Sequence, residues 1–265
     1  MKNKIVALCL CVALAVIAIG GATLAYFTDT ADRTNTFTSG NVKIELIEKQ
    51  RDGKGGLEDF KDGKVLLPIV GSAQGPKDTL GLSTAKNYVD KIITVKNLSA
   101  DAYVRVYMAI PSAIFTLDGE TNNYLHINQP GKDTFVGLDG TTADKAYTWS
   151  DMTKVGTYTD GGIEYTVVYS TYADKLTKAE TAGCAAFVGL YLDYRVDYNS
   201  ETGKYFFKAD NGQITDINYD FSKGVKLPVL AAGVQADGFD KADDAFNAAF
   251  GANYNPWATT ATTGE

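Results

Sequence analysis

Residues 103–110 read Tyr103-Val104-Arg105-Val106-Tyr107-Met108-Ala109-Ile110. Successive side chains of a strand point to opposite sides, so Val104, Val106, Met108 and Ile110 form one apolar face. Tyr103, Arg105, Tyr107 and Ala109 form a mixed face, the pattern of a sheet with one side on a core. The same alternation recurs at Val42, Ile44 and Leu46 against Lys43 and Glu45. It recurs again at Val188, Leu190, Leu192, Tyr194 and Val196 against Gly189, Asp193 and Arg195. Further strands are expected over 65–70, 88–96, 153–159, 163–169, 204–209 and 226–235. Asp160-Gly161-Gly162 and the stretch from Asn199 to Gly203 separate paired runs and read as hairpin turns, because glycine takes the positive φ such turns require. Eight to ten strands without an internal repeat or linker predict an all-β chain, a jelly-roll-like two-sheet sandwich over residues 41–254.

Two stretches break the strand pattern. Asp52-Gly53-Lys54-Gly55-Gly56, continued from Asp59 to Lys64, and the polar segment from Ser112 to Lys145 read as long surface loops. Phe239, Ala242, Phe246, Ala249 and Phe250 recur at helical spacing, with Asp237 or Asp240 as candidate N-cap and Gly251 past the end. A short C-terminal helix is therefore expected, packing its phenylalanines on an end of the sandwich. Residues 255–265 are rich in Thr and read as a mobile tail without a sorting motif.

Working back to the N-terminus, Lys2 and Lys4 precede an unbroken apolar run of 15 residues from Ile5 to Ile19. That is the length of a signal-peptide core and short for a membrane span. Thr23 and Ala25 place small residues at −3 and −1, so residues 1–25 are expected to form a signal-peptide helix cleaved to leave Tyr26 as the new N-terminus. Contact with a membrane is then confined to the precursor. Removing the signal takes away only Lys2 and Lys4, so 23 basic residues face 32 acidic ones, a net charge of −9. Such a balance argues against nucleic acid and anionic lipid as partners. Cys9 and Cys11 lie in the signal, which leaves Cys184 with no intrachain disulfide partner. Flanked by Gly183, Ala185, Ala186 and Phe187, it reads as a small buried hydrophobe.

The block from Gly20-Gly21-Ala22-Thr23-Leu24-Ala25-Tyr26-Phe27-Thr28-Asp29 through Asn35-Thr36-Phe37-Thr38-Ser39-Gly40-Asn41-Val42-Lys43-Ile44 resembles the export region of the TasA and camelysin family. Signals of that family are served by a dedicated signal peptidase in Gram-positive bacteria. Lys91 to Asn97 with Asp101 to Val106 resembles the family's central strand pair, and Ala232 to Phe239 its last strand. The resemblance implies secretion, a place in the extracellular matrix or on the cell surface, and fibres of the kind that build biofilm.

Camelysin-type relatives have been described as metalloproteases, and that activity does not carry over to residues absent here. With His126 as the single histidine, a His-Glu-x-x-His zinc site is impossible and a histidine triad has one candidate base. No catalytic residue, metal ligand or cofactor is assigned, and the chain is not expected to be an enzyme. Asp197, Asn199 and Glu201 alternate before Gly203, but the glycine falls one place late for a calcium loop and no bidentate Glu closes it. A solvated hairpin turn is the simpler account of that cluster.

The segment opening the mature chain, residues 26–40, is unlike the rest. Extended, the 12 residues from Tyr26 to Phe37 span about 40 Å. Thr28, Thr30, Thr34 and Thr36 supply β-branched propensity, yet aromatic residues stand only at the ends, Tyr26 and Phe27 at one and Phe37 at the other. Such a strand has too little apolar area to hold a core position and suits a donor strand docking on another copy. The expected partners are the chain itself, in a head-to-tail homopolymer, and the signal peptidase during export. A monomeric binding or adhesion module using its long loops is the alternative.

Overall fold

The alternation at 103–110 becomes a strand buried on both faces. In this computed structural model, which describes residues 25–27, 36–39, 42–117, 123–130, 149–221 and 224–258, two five-stranded sheets face each other. The first runs β2 (Thr36–Ser39), β15 (Val229–Gln235), β7 (Ala102–Pro111), β10 (Ile163–Thr171) and β9 (Thr153–Asp160). The second runs β4 (Leu57–Asp59), β3 (Ile44–Arg51), β6 (Val89–Asn97), β11 (Phe187–Leu192) and β8 (Leu125–Asn128). A three-stranded sheet of β12 (Val196–Asn199), β13 (Lys204–Lys208) and β14 (Ile214–Asp216) is separate, and β1 (Ala25–Phe27) pairs with β5 (Lys64–Leu66). All pairings are antiparallel except β2 with β15.

From β6 onward the chain passes between the sheets, β7 in the first, β8 in the second, β10 in the first, β11 in the second, β15 in the first. Apart from β3 with β4 and β9 with β10, neighbours in these two sheets are therefore distant in sequence. β7 lies between β15 and β10, and β11 between β6 and β8, the wrapping of a jelly-roll-like sandwich. The expected signal-peptide helix falls outside the described residues.

The inward faces meet in one core, where Val104, Val106, Met108 and Ile110 of β7 join Ile93, Val95, Phe187, Leu190 and Val229. Each such side chain, fully removed from water, contributes about 1.5–3 kcal/mol. Cys184 lies in this core, fully buried, as its neighbours in sequence imply. The hairpin between β9 and β10 turns through Gly161 and Gly162, both at positive φ, and Asn199 to Gly203 closes the β12–β13 hairpin.

Several expectations are corrected. The alternation over 188–196 is two strands, because the Asp193 carboxylate accepts the Arg195 backbone N–H and turns the chain between β11 and β12. The long polar segment after Ser112 contributes β8, whose register against β11 seats Leu125 opposite Leu192. The helix, α1 (Ala242–Phe250), starts after Lys241, not after an aspartate, and has no side-chain cap. It packs on the outer face of the first sheet rather than on an end: Phe246 and Ala245 join Tyr103, Tyr107, Leu230 and Val234. That is why the mixed face of β7 is buried too. Arg105 makes it possible, its guanidinium lying 4.3 Å from both the Tyr169 and Phe246 ring centres while donating to Thr171 and Asp243. Residues 255–258 continue this cover, with Asn255 donating to the Thr157 carbonyl of β9 and Trp257 stacked on Tyr158.

The outer face of the second sheet is covered by the chain between β5 and β6. Leu80 and Leu82 pack there on Ile92 and Ala185. Arg51 fastens the cover, donating through Nε and Nη2 to Asp90, through Nη1 to Asp78 and through Nη2 to the Ser83 carbonyl.

Candidate assembly interface

The edge of the first sheet and the short strand β5 receive the N-terminal segment. β15 is a short-side-chain strand, Val-Leu-Ala-Ala-Gly-Val-Gln, held on one side by β7 over seven paired residues from Val229 to Gln235. Its other side is covered by β2 in parallel, with Thr36 opposite Ala231, Phe37 opposite Ala232, Thr38 opposite Gly233 and Ser39 opposite Val234. Without β2, the outward N–H and C=O groups of β15 would form an open edge of the kind that accepts an added strand. At the second sheet's side of the molecule, Ala25, Tyr26 and Phe27 pair with Leu66, Val65 and Lys64 of β5.

Gly233 sets how the chain passes from the first pairing into the domain. It faces inward with Val229 and Ala231, and a Cβ built there would lie 3.0 Å from Val42 Cγ1 and 3.2 Å from two methyl carbons of Ile44. Val42 and Ile44 are themselves buried, so the entry of β3 closes directly over the β15 backbone. Glycine leaves that room with no shift of either side chain.

The two flanks of the proposed donor segment, Tyr26 and Phe27 in β1 and Thr36 and Phe37 in β2, thus take strand conformation. Thr23, Thr28, Thr30 and Thr34 lie outside the described residues, and Ala25 at the expected cleavage point belongs to β1. That Phe37 would find a parallel partner near the opposite end of the chain has no signal in sequence.

Elsewhere the polar clusters are occupied by structural tasks. His126 of β8 stacks on Tyr191, ring centres 4.7 Å apart, and its Nε2 is 3.0 Å from Asp193 Oδ2. The same carboxylate accepts two hydrogen bonds from the Arg195 guanidinium, at 2.9 Å each. Burial opposes ionisation of Asp193, but the donors from Arg195 and His126 outweigh it and hold the carboxyl well below the usual carboxylate range. Within the alternating Asp197, Asn199 and Glu201, Asn199 Oδ1 accepts the backbone N–H groups of Glu201 and Thr202, closing the turn. Among the described residues no group of three His, Cys, Asp or Glu is placed to hold a metal ion. Nor is any helix among them long and apolar enough to cross a membrane.

The architecture defines an all-β sandwich protein with β2 laid along the edge of its first sheet and β1 paired with the short strand β5. The family model described as camelysin metallo-endopeptidase matches residues 1–51, ending with β3, so the N-terminal fifth of the chain is similar to the TasA/camelysin-like family. No curated protein and no solved structure matches the chain. The matched region holds the N-terminal segment and both of its pairing strands, and stops short of His126.

Proposed function

We propose that the protein is a secreted structural subunit, released by cleavage after Ala25, that polymerises into extracellular fibres by passing residues Tyr26 to Phe37 to a neighbouring copy. The observation that carries this reading is that the two described ends of the segment are held by strand pairing at the margin of the domain. Among the described residues, β2 pairs with the edge strand β15 and β1 pairs with β5. Backbone pairing of this kind is available equally from a second copy, because the edge recognises N–H and C=O groups while pockets select alternate side chains. Donor and acceptor are different surfaces of one molecule, so the contact is heterologous and propagates head to tail without closing. In the precursor the donor remains tethered to the signal, so assembly waits for cleavage. Phe27 and Phe37 are the proposed anchors, each contributing about 1.5–3 kcal/mol when fully buried in the neighbour. Although the matching family model is described as a metallo-endopeptidase, catalysis is not part of this proposal.

Deletion of Tyr26 to Thr36 tests it. The expected product is a folded monomer that forms no filaments by electron microscopy and whose melting temperature rises when the excised peptide is added back, by mass action. Filaments that survive the deletion refute strand donation. A full mature chain that stays monomeric at high concentration favours instead a binding module working through its loops.

A further inference from the structure

A buried amine and a buried carboxylate face each other inside the sandwich with no part in the proposed assembly. Lys91 stands on the inward face of β6, between Val89 and Ile93, both core residues. Glu48 stands on the inward face of β3, two residues after Leu46. Lys91 Nζ is 3.3 Å from Glu48 Oε2, and the two side chains are 1% and 7% exposed. The Phe60 ring lies 4.3 Å from the same nitrogen and closes the pair toward the chain between β4 and β5.

We propose that Lys91 and Glu48 condense to an intramolecular amide that links β3 to β6 covalently. Two full charges are poorly accommodated in an apolar core, and proton transfer from ammonium to carboxylate leaves an amine beside a carboxylic acid. Burial holds the Lys91 amine well below the usual lysine range, which favours that neutral pair. The lone pair of Nζ then attacks Cδ of Glu48, the Nζ–Cδ bond forms, the Cδ–OH bond breaks, and the hydroxyl leaves as water with a proton from nitrogen. Atoms and electrons balance without a metal, cofactor or oxidant. Packing supplies the encounter, since an amine held 3.3 Å from a carboxylate oxygen reacts with the advantage of an intramolecular pair. The product removes both buried charges, and an apolar enclosure disfavours the return of the water that would reverse it. Cys184 is the one cysteine after the N-terminal apolar run, so an intrachain disulfide cannot serve the same purpose.

Mass spectrometry of the secreted mature chain decides the matter. The expected mass is that of the sequence less one water. A tryptic digest should contain residues 44–49 joined to residues 87–96, with Lys91 uncleaved, and fragmentation should place the bond between Glu48 and Lys91. Lys91→Arg, Glu48→Leu and the combined Lys91→Met/Glu48→Leu variant should return the full mass and lack the linked peptide. Wild-type protein at the full sequence mass overturns the proposal whatever the variants do. So does a lost water without the linked peptide, as dehydration at an Asp–Gly pair would give.

Discussion

Replacing Gly233 by valine tests how the chain enters the domain. The built Cβ already meets Val42 Cγ1 at 3.0 Å and Ile44 Cδ1 and Cγ2 at 3.2 Å. Valine adds two further carbons beyond that Cβ, into space filled by side chains that are 7% and 5% exposed and cannot swing into water. Overpacking of this kind costs about 1–3 kcal/mol. Loss of glycine's freedom in the unfolded chain returns about 0.5–1 kcal/mol. Gly233→Val should therefore lower stability by about 1–2 kcal/mol, or the melting temperature by about 3–6 °C for a domain of this size. Gly233→Ala, one atom needing a few tenths of an ångström, should be close to neutral. Urea unfolding followed by far-ultraviolet circular dichroism measures both. The contact lies between β15 and the start of β3, so the same loss should appear in the chain lacking Tyr26 to Thr36. If Gly233→Val is as stable as the parent, Val42 and Ile44 do not close over β15 and the described entry of the chain is wrong.

Arg105→Ala should cost about 2–3 kcal/mol, since it empties the space between Tyr169 and Phe246 while leaving Asp243 in water; hydrogen exchange should show α1 losing protection before the sheets do, and uniform exchange would count against that role. The depressed Asp193 carboxyl contributes stability in full above the unfolded aspartate value, near 3.9, and loses it as pH falls below that toward its lower folded value. The stability gap between wild type and Asp193→Asn should thus narrow as pH falls below about 4 in urea titrations, whereas a gap that widens below about pH 4 would reverse the assigned direction.

The strands readable from sequence by period two on the core face were β3, β7 and the first part of the 188–196 run, β11. β7 also shows the boundary of such reading. Arg105 and Tyr107 resemble a wetted face until α1, 130 residues and more downstream, is known to lie on them. β8 is four residues, Leu-His-Ile-Asn, too short to rise above its polar surroundings, and only the neighbouring strand β11 fixes it as sheet. At 193–195 hydrophobic alternation ran through a turn because Tyr194, 60% exposed, sits where a core residue would be expected. For the candidate interface, composition marked residues 26–37 as a strand without a core of its own, but the edges it meets depend on the order of strands in two sheets. The inward Lys91 was hidden in a run that otherwise reads as a plain buried strand.

The chain carries two tryptophans, and their placement makes it self-reporting. Trp149 is 1% exposed, with its indole N–H donating to the Cys184 carbonyl at 2.9 Å and its ring against Tyr172. Trp257 lies half-buried at the rim, stacked on Tyr158 of the β9 edge. The first indole should emit at short wavelength until the sandwich itself opens, the second at longer wavelength and with quenching by small solutes. Trp149→Phe and Trp257→Phe then leave one emitter each. A signal from the C-terminal strap alone is thereby separated from unfolding of the core, without any label attached near the edges proposed for assembly.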